Sequence, residues 1–210
     1  MDARRWKSNV NSIFWAVVFN SLIGMVMSTV TIITLVAALT GAASPWYMIV
    51  LPLLSAVCEI VILVGFTDLA KMFAGNTAKA LRQVRTGIIL EIIADLLMLI
   101  PIVGTIIANI LGIIWAIIYV KAFGTLRDAK EFPARDAANL IRIAFIIALV
   151  SYALCIIPLV GALGSGLGIL VDILIIVGWI KFKTASVSSA SSYSYRESSS
   201  SYSASRVDDF

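Results

Sequence analysis

Histidine is absent from this chain, and cysteine occurs only twice, as Cys58 and Cys155. Both cysteines lie inside apolar runs without a second thiol beside them, which excludes a zinc site and a Cys–His nucleophile. They are expected to be two small buried thiols. The chain also lacks a Walker-type phosphate loop, a Gly-x-Ser-x-Gly elbow and a cluster of metal ligands. We therefore predict a protein that is not an enzyme, with no catalytic residue, no metal and no cofactor.

Charged residues are scarce and unevenly placed. They make up 13% of the chain against 60% hydrophobic residues, with a mean hydropathy of +1.01, and a soluble domain could not cover so much apolar surface. All 16 Lys and Arg residues fall in four short stretches, and the connections at 40–45, 101–104 and 158–163 carry no charge. Because cytoplasmic loops retain Lys and Arg, this placement predicts that both termini are cytoplasmic. The net charge of +4 then reflects topology and contact with anionic headgroups rather than nucleic-acid binding.

The apolar runs predict the fold class, an all-α polytopic membrane protein with six transmembrane helices arranged as three repeated hairpins. The runs are 13–39, 46–66, 86–100, 102–120, 143–157 and 159–180. The third and fifth runs are shorter than the roughly 20 residues that cross a bilayer, so the amphipathic stretch before each is expected to continue the helix. The first run is longer than the roughly 7–15 residues of a signal-peptide core, which predicts an uncleaved signal anchor.

A repeat divides the chain into its hairpins. Residues 100–104 return at 157–161, and Arg85 returns as Arg142, which gives a period of about 57 residues and indicates duplication of a hairpin. The predicted organisation is a cytoplasmic N-terminus at 1–12, hairpin 1 at 13–66, an amphipathic linker with hairpin 2 at 67–123, a second linker with hairpin 3 at 124–183, and a disordered Ser/Tyr-rich cytoplasmic tail at 184–210.

The linkers at 67–85 and 121–142 allow two interpretations. In the first, each linker is an amphipathic helix lying in the membrane interface, with residues such as Leu69 and Leu81 facing lipid while Lys79 faces water. In the second, each linker is a plain cytoplasmic extension of the membrane helix that follows.

Four acidic residues lie inside the apolar runs, namely Glu59, Glu91, Asp95 and Asp172. No basic residue lies in the membrane to pair with them, and a charge at mid-bilayer costs at least about 2.5–3.5 kcal/mol, so the unpaired carboxyls are expected to be protonated. Glu91 and Asp95 are four residues apart and share a helix face.

These acids have two interpretations. One is a proton or cation pathway through the bundle, and the polar residues that could join it are Asn20, Asn109, Ser151 and Tyr152. The other is a set of neutral carboxyls that are hydrogen-bonded between helices and hold the bundle together.

Small residues recur at every fourth position on two of the predicted helices. One ridge consists of Gly104, Ala108, Gly112 and Ala116, and the equivalent ridge one repeat later consists of Gly164 and Gly168. Such ridges let helix backbones approach closely, so these residues are predicted to pack helices together. Because Asp172 continues the second ridge, we expect it to face protein rather than lipid.

The repeated unit from Gly87 to Phe123 has a glycine-opened helix, an Ile-Pro tip and a Gly-Ile-Ile return helix that ends in a small-aromatic pair. It resembles the hairpins of small prokaryotic polytopic membrane proteins of unknown function with Ile-Pro-x-Val-Gly turns. As a second choice, it is similar to the acid-resistance membrane protein family, which is also built from repeated hairpins. The resemblance covers about two thirds of the chain. It implies a multi-pass inner-membrane protein and carries over no functional residue.

The sequence therefore predicts a non-enzymatic integral membrane protein of the prokaryotic cytoplasmic membrane, with a structural role or one that meets partners or lipid through its cytoplasmic linkers and tail. The first alternative is a small cation or proton transporter or channel that uses the intramembrane carboxyls. The second is a membrane-shaping protein whose hairpins enter from the cytoplasmic face without crossing. The expected partners are the lipid bilayer, anionic headgroups at the cytoplasmic face, and a second copy of the chain or another membrane protein, but no nucleic acid.

Overall fold

The computed structural model describes residues 3–38, 47–100, 103–157 and 160–185, and within these ranges the chain is all-helical, without strands. The helices are α1 (Ala3–Ala38), α2 (Tyr47–Ala70), α3 (Gly75–Leu97), α4 (Val103–Asp128), α5 (Arg135–Cys155) and α6 (Gly161–Thr184). The predicted all-α class is confirmed for this part of the chain. The predicted first tip at 40–45 and almost all of the predicted tail at 184–210 lie outside the described residues.

Five of the described helices are long and apolar enough to cross a bilayer, namely α1, α2, α4, α5 and α6. Their outer surfaces are apolar: on α2, one face exposes Leu53, Val57, Ile60 and Val64 at helical spacing. The helices therefore have the composition of a multi-pass integral membrane protein. α3 falls short of the same criterion because it combines basic residues in its first half with two acids in its second half.

The helices form a closed ring, in which each one packs on its neighbours in sequence and α6 packs back on α1. Consecutive helices run antiparallel, because connections as short as 71–74 and 129–134 cannot run back along the length of a helix. As a result α1, α3 and α5 begin at the end of the ring where α2, α4 and α6 finish. This end carries the Lys and Arg residues of the described part and is named the basic end. The opposite end is named the tip end.

The two linkers form no separate helix between the described membrane helices. Residues 67–70 complete α2 and residues 75–85 begin α3, and the second linker is divided in the same way between α4 and α5. Leu69 and Leu81, which the interfacial interpretation placed in lipid, are fully buried within the protein. In the structure, therefore, each linker is an extension of the helices on either side of it rather than a separate interfacial helix.

Aromatic side chains close the basic end. Trp6 at the start of α1 stacks on Phe182 at the end of α6, with 5.5 Å between ring centroids. Phe73 and Phe132, from the α2–α3 and α4–α5 connections, meet Trp6 edge-on with centroid distances of 6.1 and 6.0 Å. These four residues are named the aromatic plug. Since they come from three different sectors of the ring, they meet across its axis.

The small residues of α4 lie on its buried face, and this applies to Gly104, Ala108, Gly112 and Ala116 alike. A Cβ atom on Gly112 would lie 2.7 Å from Cδ1 of Tyr152. The absence of a side chain at this position therefore lets the tyrosine ring of α5 lie directly on the α4 backbone.

The small residues of α6 face two different neighbours. A Cβ atom on Gly164 would lie 2.8 Å from a backbone oxygen of α5, and one on Gly168 would lie 3.1 Å from Oγ of Ser28 on α1. One turn further on, the carboxyl of Asp172 packs against α1, where a Cβ on Gly24 would lie 2.7 Å from Oδ2 of the acid. Asp172 therefore faces protein, as expected from its place in the ridge.

Candidate functional site

The four acids of the apolar runs line one cavity of about 280 Å³ inside the ring. Glu59 extends from α2, Glu91 and Asp95 from α3, and Asp172 from α6. These residues are named the carboxyl cluster. The polar residues that the sequence offered as their neighbours line the same cavity, namely Asn20, Asn109, Ser151 and Tyr152. The tertiary structure thus brings together acids that are more than 100 positions apart in the sequence.

A second cavity of about 110 Å³ adjoins the first toward the basic end. Glu59, Glu91 and Asp172 line both cavities. Beyond these acids, the smaller cavity reaches Phe66 and Trp179 near the basic end, whereas the larger one reaches residues such as Thr105 and Gly161 at the tip end. The carboxyl cluster therefore lies at the junction of two spaces along the ring axis.

Each acid of the carboxyl cluster has the other acids of the cluster and neutral groups as its neighbours. Glu59 interacts electrostatically with Glu91 and Asp95, and Glu91 also interacts with Asp172. Two ion pairs between described residues lie away from the cluster, near the basic end: Lys71 with Asp68 at 2.8 Å and Arg127 with Asp128 at 2.7 Å. Mutual repulsion among close carboxylates in a low-dielectric interior favours the binding of a proton or another cation between them.

Hydrogen bonds from neighbouring helices orient the carboxyls. The hydroxyl of Tyr119 donates to Oε2 of Glu91 at 3.0 Å, and the hydroxyl of Ser55 donates to Oδ1 of Asn20 at 2.8 Å. Asn20 lies within hydrogen-bonding reach of Glu59. These contacts connect α1 to α2 and α3 to α4 beside the cavity.

Two carboxyl oxygens remain without a partner. Oε2 of Glu59 and Oδ2 of Asp95 are buried without a hydrogen bond, and the residue Glu59 is only 1% exposed. Buried polar atoms in native proteins are nearly always hydrogen-bonded, so an exception calls for an explanation such as a catalytic role, a water or an ion. Both residues line the larger cavity, which makes these two carboxyl groups the candidate contact points for a ligand.

Sequence reasoning missed Trp115, Tyr119 and Phe145 of the aromatic half of the site, and it offered Tyr152 only as a polar neighbour of the acids. Trp115 and Tyr119 of α4 pack with Phe145 and Tyr152 of α5, with centroid distances of 5.2 Å for Trp115–Tyr152 and 4.5 Å for Tyr119–Phe145. All four line the smaller cavity. The signal was present in the sequence, because Trp115 and Tyr119 follow Gly112 at helical spacing and so share its inward face.

The donor set does not form a metal centre. Across the described ranges, no group of three or more His, Cys, Asp or Glu side chains is placed so that it could hold a metal ion. In the part of the chain that the structure describes, the fold and site together define an all-helical protein with the composition of the multi-pass membrane class and with an acidic and aromatic central cavity.

Comparisons with protein-family models, with curated proteins and with solved structures find no match to this chain. The resemblance of its hairpins to small prokaryotic membrane proteins therefore stays a prediction. Its function has to be argued from the site.

Proposed function

We propose that this chain is a small membrane transporter or channel that moves protons or monovalent cations through the carboxyl cluster. The observation that carries the proposal is the convergence of four acids from three helices on one cavity inside a closed ring. Burying acids in a membrane protein is costly and usually serves a function. Asn20 and Ser55 are hydrogen-bond partners of Glu59 and Asp95, yet each of these two acids also retains a buried oxygen without a partner. Carboxyls that served only to join helices would be expected to have both oxygens hydrogen-bonded.

The site supports this function over the other two that the sequence left open. A partner- or lipid-binding role of the linkers relied on their apolar residues, but Leu69, Leu81 and Phe132 are buried inside the protein. A membrane-shaping role would leave the acids in lipid, whereas they line an internal cavity.

We propose six crossings, with α3 as the sixth, and both termini in the cytoplasm of a prokaryotic cell. The place of α3 in the ring, between α2 and α4, supports its crossing. Its acids line the cavity, and the exposed Arg82 lies in the first half of the helix, from where its long side chain can reach the headgroups. In this topology the basic end faces the cytoplasm.

The aromatic plug indicates which side of the membrane the cavity communicates with. Trp6, Phe132 and Phe182 are almost fully buried where they close the basic end. The larger cavity extends from the acids toward the tip end. We therefore propose that the acids are reached from outside the cell through the larger cavity, and that transport requires the plug to rearrange, as in a transporter rather than an open channel.

A flux assay in proteoliposomes tests the proposal. The parent chain should carry proton or monovalent-cation flux above that of empty vesicles, and Glu91→Gln and Asp95→Asn should abolish it, because an amide retains hydrogen bonds but cannot ionise. Asp136→Asn is the matched control, since Asp136 is exposed in the first turn of α5. No flux from the parent between about pH 5 and 8, or full flux in both cluster variants, would overturn the proposal.

A further inference from the structure

We infer that the junction of the two cavities binds a small organic monocation, an ammonium ion held between the Glu59 carboxylate and the rings of Trp115 and Tyr152. This inference names the substrate class of the carboxyl cluster and rests on the proposed transport function for its meaning. It depends on two independent features of the site, an unpartnered buried carboxyl oxygen and an aromatic wall.

The acidic side of the site is provided by α2. Glu59 is almost wholly buried, its Oε2 atom has no hydrogen-bond partner, and the residue lines both cavities. Among the described residues that line the two cavities there is no Lys or Arg, so the Glu59 carboxyl is expected to be protonated while the site is empty. An arriving cation favours the charged form of the carboxyl, which can then release its proton and pair with the ligand. The positive charge of that pair is therefore assigned to the ligand.

The aromatic side is provided by α4 and α5, and the order of helices in the ring places α5 across from α2. Trp115 and Tyr152 meet edge to face, with 5.2 Å between centroids and 71° between planes, and both line the two cavities that Glu59 borders. Tryptophan and tyrosine attract cations through the negative faces of their rings, and Trp is the strongest of them. A carboxylate opposite such rings is the usual recognition chemistry for ammonium groups.

The same lining argues against a divalent metal ion as the ligand. Such an ion requires several oxygen ligands at close range, and no trio of acidic or thiol groups among the described residues is placed to provide them. Aromatic carbon instead favours an ammonium that carries alkyl groups. The larger cavity, at about 280 Å³, is near the lower limit of the roughly 300–1,000 Å³ of small-molecule pockets, so the cation must be small.

Calorimetric binding of choline to the purified full chain in detergent tests the inference. The neutral carbon isostere of choline, 3,3-dimethylbutan-1-ol, has the same shape without the charge. Its affinity should be lower than that of choline by about tenfold or more. Glu59→Gln should weaken choline binding by about tenfold or more, and so should Trp115→Leu, whereas Trp115→Phe keeps a ring and should retain most of the affinity. The matched controls are Asp136→Asn and Trp15→Leu, since Trp15 is 50% exposed on the outer surface.

The outcomes separate this inference from the transport proposal. Choline binding that is lost in Glu59→Gln and unchanged in both controls supports the site. If Glu59→Gln does not fold, a loss in Trp115→Leu but not in Trp115→Phe supports it instead. Equal affinity for the neutral alcohol, or unchanged choline binding in Trp115→Leu, overturns it. Proton flux without choline binding overturns the organic-cation site and leaves the proposed transport function standing. Choline binding without any flux supports the site and overturns the proposed transport function.

Discussion

The hydroxyl of Tyr119 donates a hydrogen bond to Oε2 of Glu91 at 3.0 Å and so joins α4 to α3 inside the ring. Gly87, one turn before Glu91, makes this contact possible, because a Cβ atom there would lie 2.3 Å from Cε1 of Tyr119. The bond sets the direction of the Glu91 carboxyl at the junction of the two cavities. It also offers a way to separate the structural role of this carboxyl from its role in transport.

At this pair, the substitution that costs more stability should cost less flux, and the one that costs less stability should cost more flux. Tyr119→Phe removes a buried hydrogen bond and should lower the free energy of unfolding by about 0.5–1.5 kcal/mol, whereas Glu91→Gln should lower it less because the amide oxygen still accepts. In proteoliposomes, Glu91→Gln should stop flux and Tyr119→Phe should leave part of it. Thermal unfolding in detergent and flux are measured on the same preparations. If Glu91→Gln is silent in both assays, the carboxyl is only a helix-joining group.

Alanine substitutions along α6 should reveal which glycines mediate packing. Gly164→Ala should destabilise the protein by about 1–3 kcal/mol, because the new Cβ would lie 2.8 Å from a backbone oxygen that cannot move aside cheaply. Gly168→Ala should cost less, since its nearest neighbour is the Ser28 hydroxyl at 3.1 Å. Gly166→Ala is the matched control on the same helix, because nothing lies within 4 Å of its Cβ position. Unfolding temperatures in detergent measure the relative stability of the three variants.

The same substitution at Gly75 would be a poor control although its surroundings are open. Gly75 has φ of +57°, a conformation that side-chain-bearing residues rarely adopt, so a loss of stability there would reflect backbone strain. Equal unfolding temperatures for Gly164→Ala, Gly168→Ala and Gly166→Ala would contradict the packing role of the α6 ridge.

Labelling of single cysteines tests the proposed topology. In a background without Cys58 and Cys155, a cysteine at Ala43 in the first predicted tip should react with an impermeant thiol reagent from outside intact cells. One at Leu163, which is 66% exposed near the tip end, should do the same. A cysteine at the exposed position Lys79 should react only after the cells are permeabilised. Protection of both tip positions in intact cells would favour hairpins that do not cross.

Acid should weaken one contact near the basic end in a predictable direction. The hydroxyl of Thr77 donates to a carboxylate oxygen of Glu131, and this hydrogen bond, with a second from the backbone, lowers the pKa of Glu131 below its ordinary value. A carboxyl with a lowered folded-state pKa stabilises the protein above its unfolded-state pKa. That contribution is lost as the pH falls through the folded-state pKa.

Thr77→Val should therefore lower the free energy of unfolding near neutral pH, and the difference from the parent should shrink below about pH 4. Because Glu131 is exposed, the difference near pH 7 should be about 1 kcal/mol or less. Thermal unfolding of both proteins across this range measures it. A difference that stays constant with pH would mean that Thr77 acts through packing instead.

Much of the helical layout could be predicted from the sequence, and the helix boundaries show where local patterns were insufficient. The apolar run at 86–100 becomes the second half of α3, which begins as early as Gly75, and α5 likewise begins at Arg135 rather than at the start of its apolar run. Local amphipathicity alone allowed either an interfacial helix or an extension. Burial of Leu69 and Leu81 inside the ring distinguishes the interfacial helix from the extension. Local patterns could not show this, because burial depends on neighbours that are distant in sequence.

The sequence by itself determined the class of this protein, because a bilayer requires long apolar helices and restricts Lys and Arg to their ends. It also determined that Glu91 and Asp95 share a face, since that follows from the helical period. Only the tertiary structure decided that Glu59 and Asp172 join them, and that Trp115 and Tyr152 line the same space. A helical period defines a face but not its partner. The partner follows from closure of the ring between α6 and α1, where the carboxyl of Asp172 packs against Gly24.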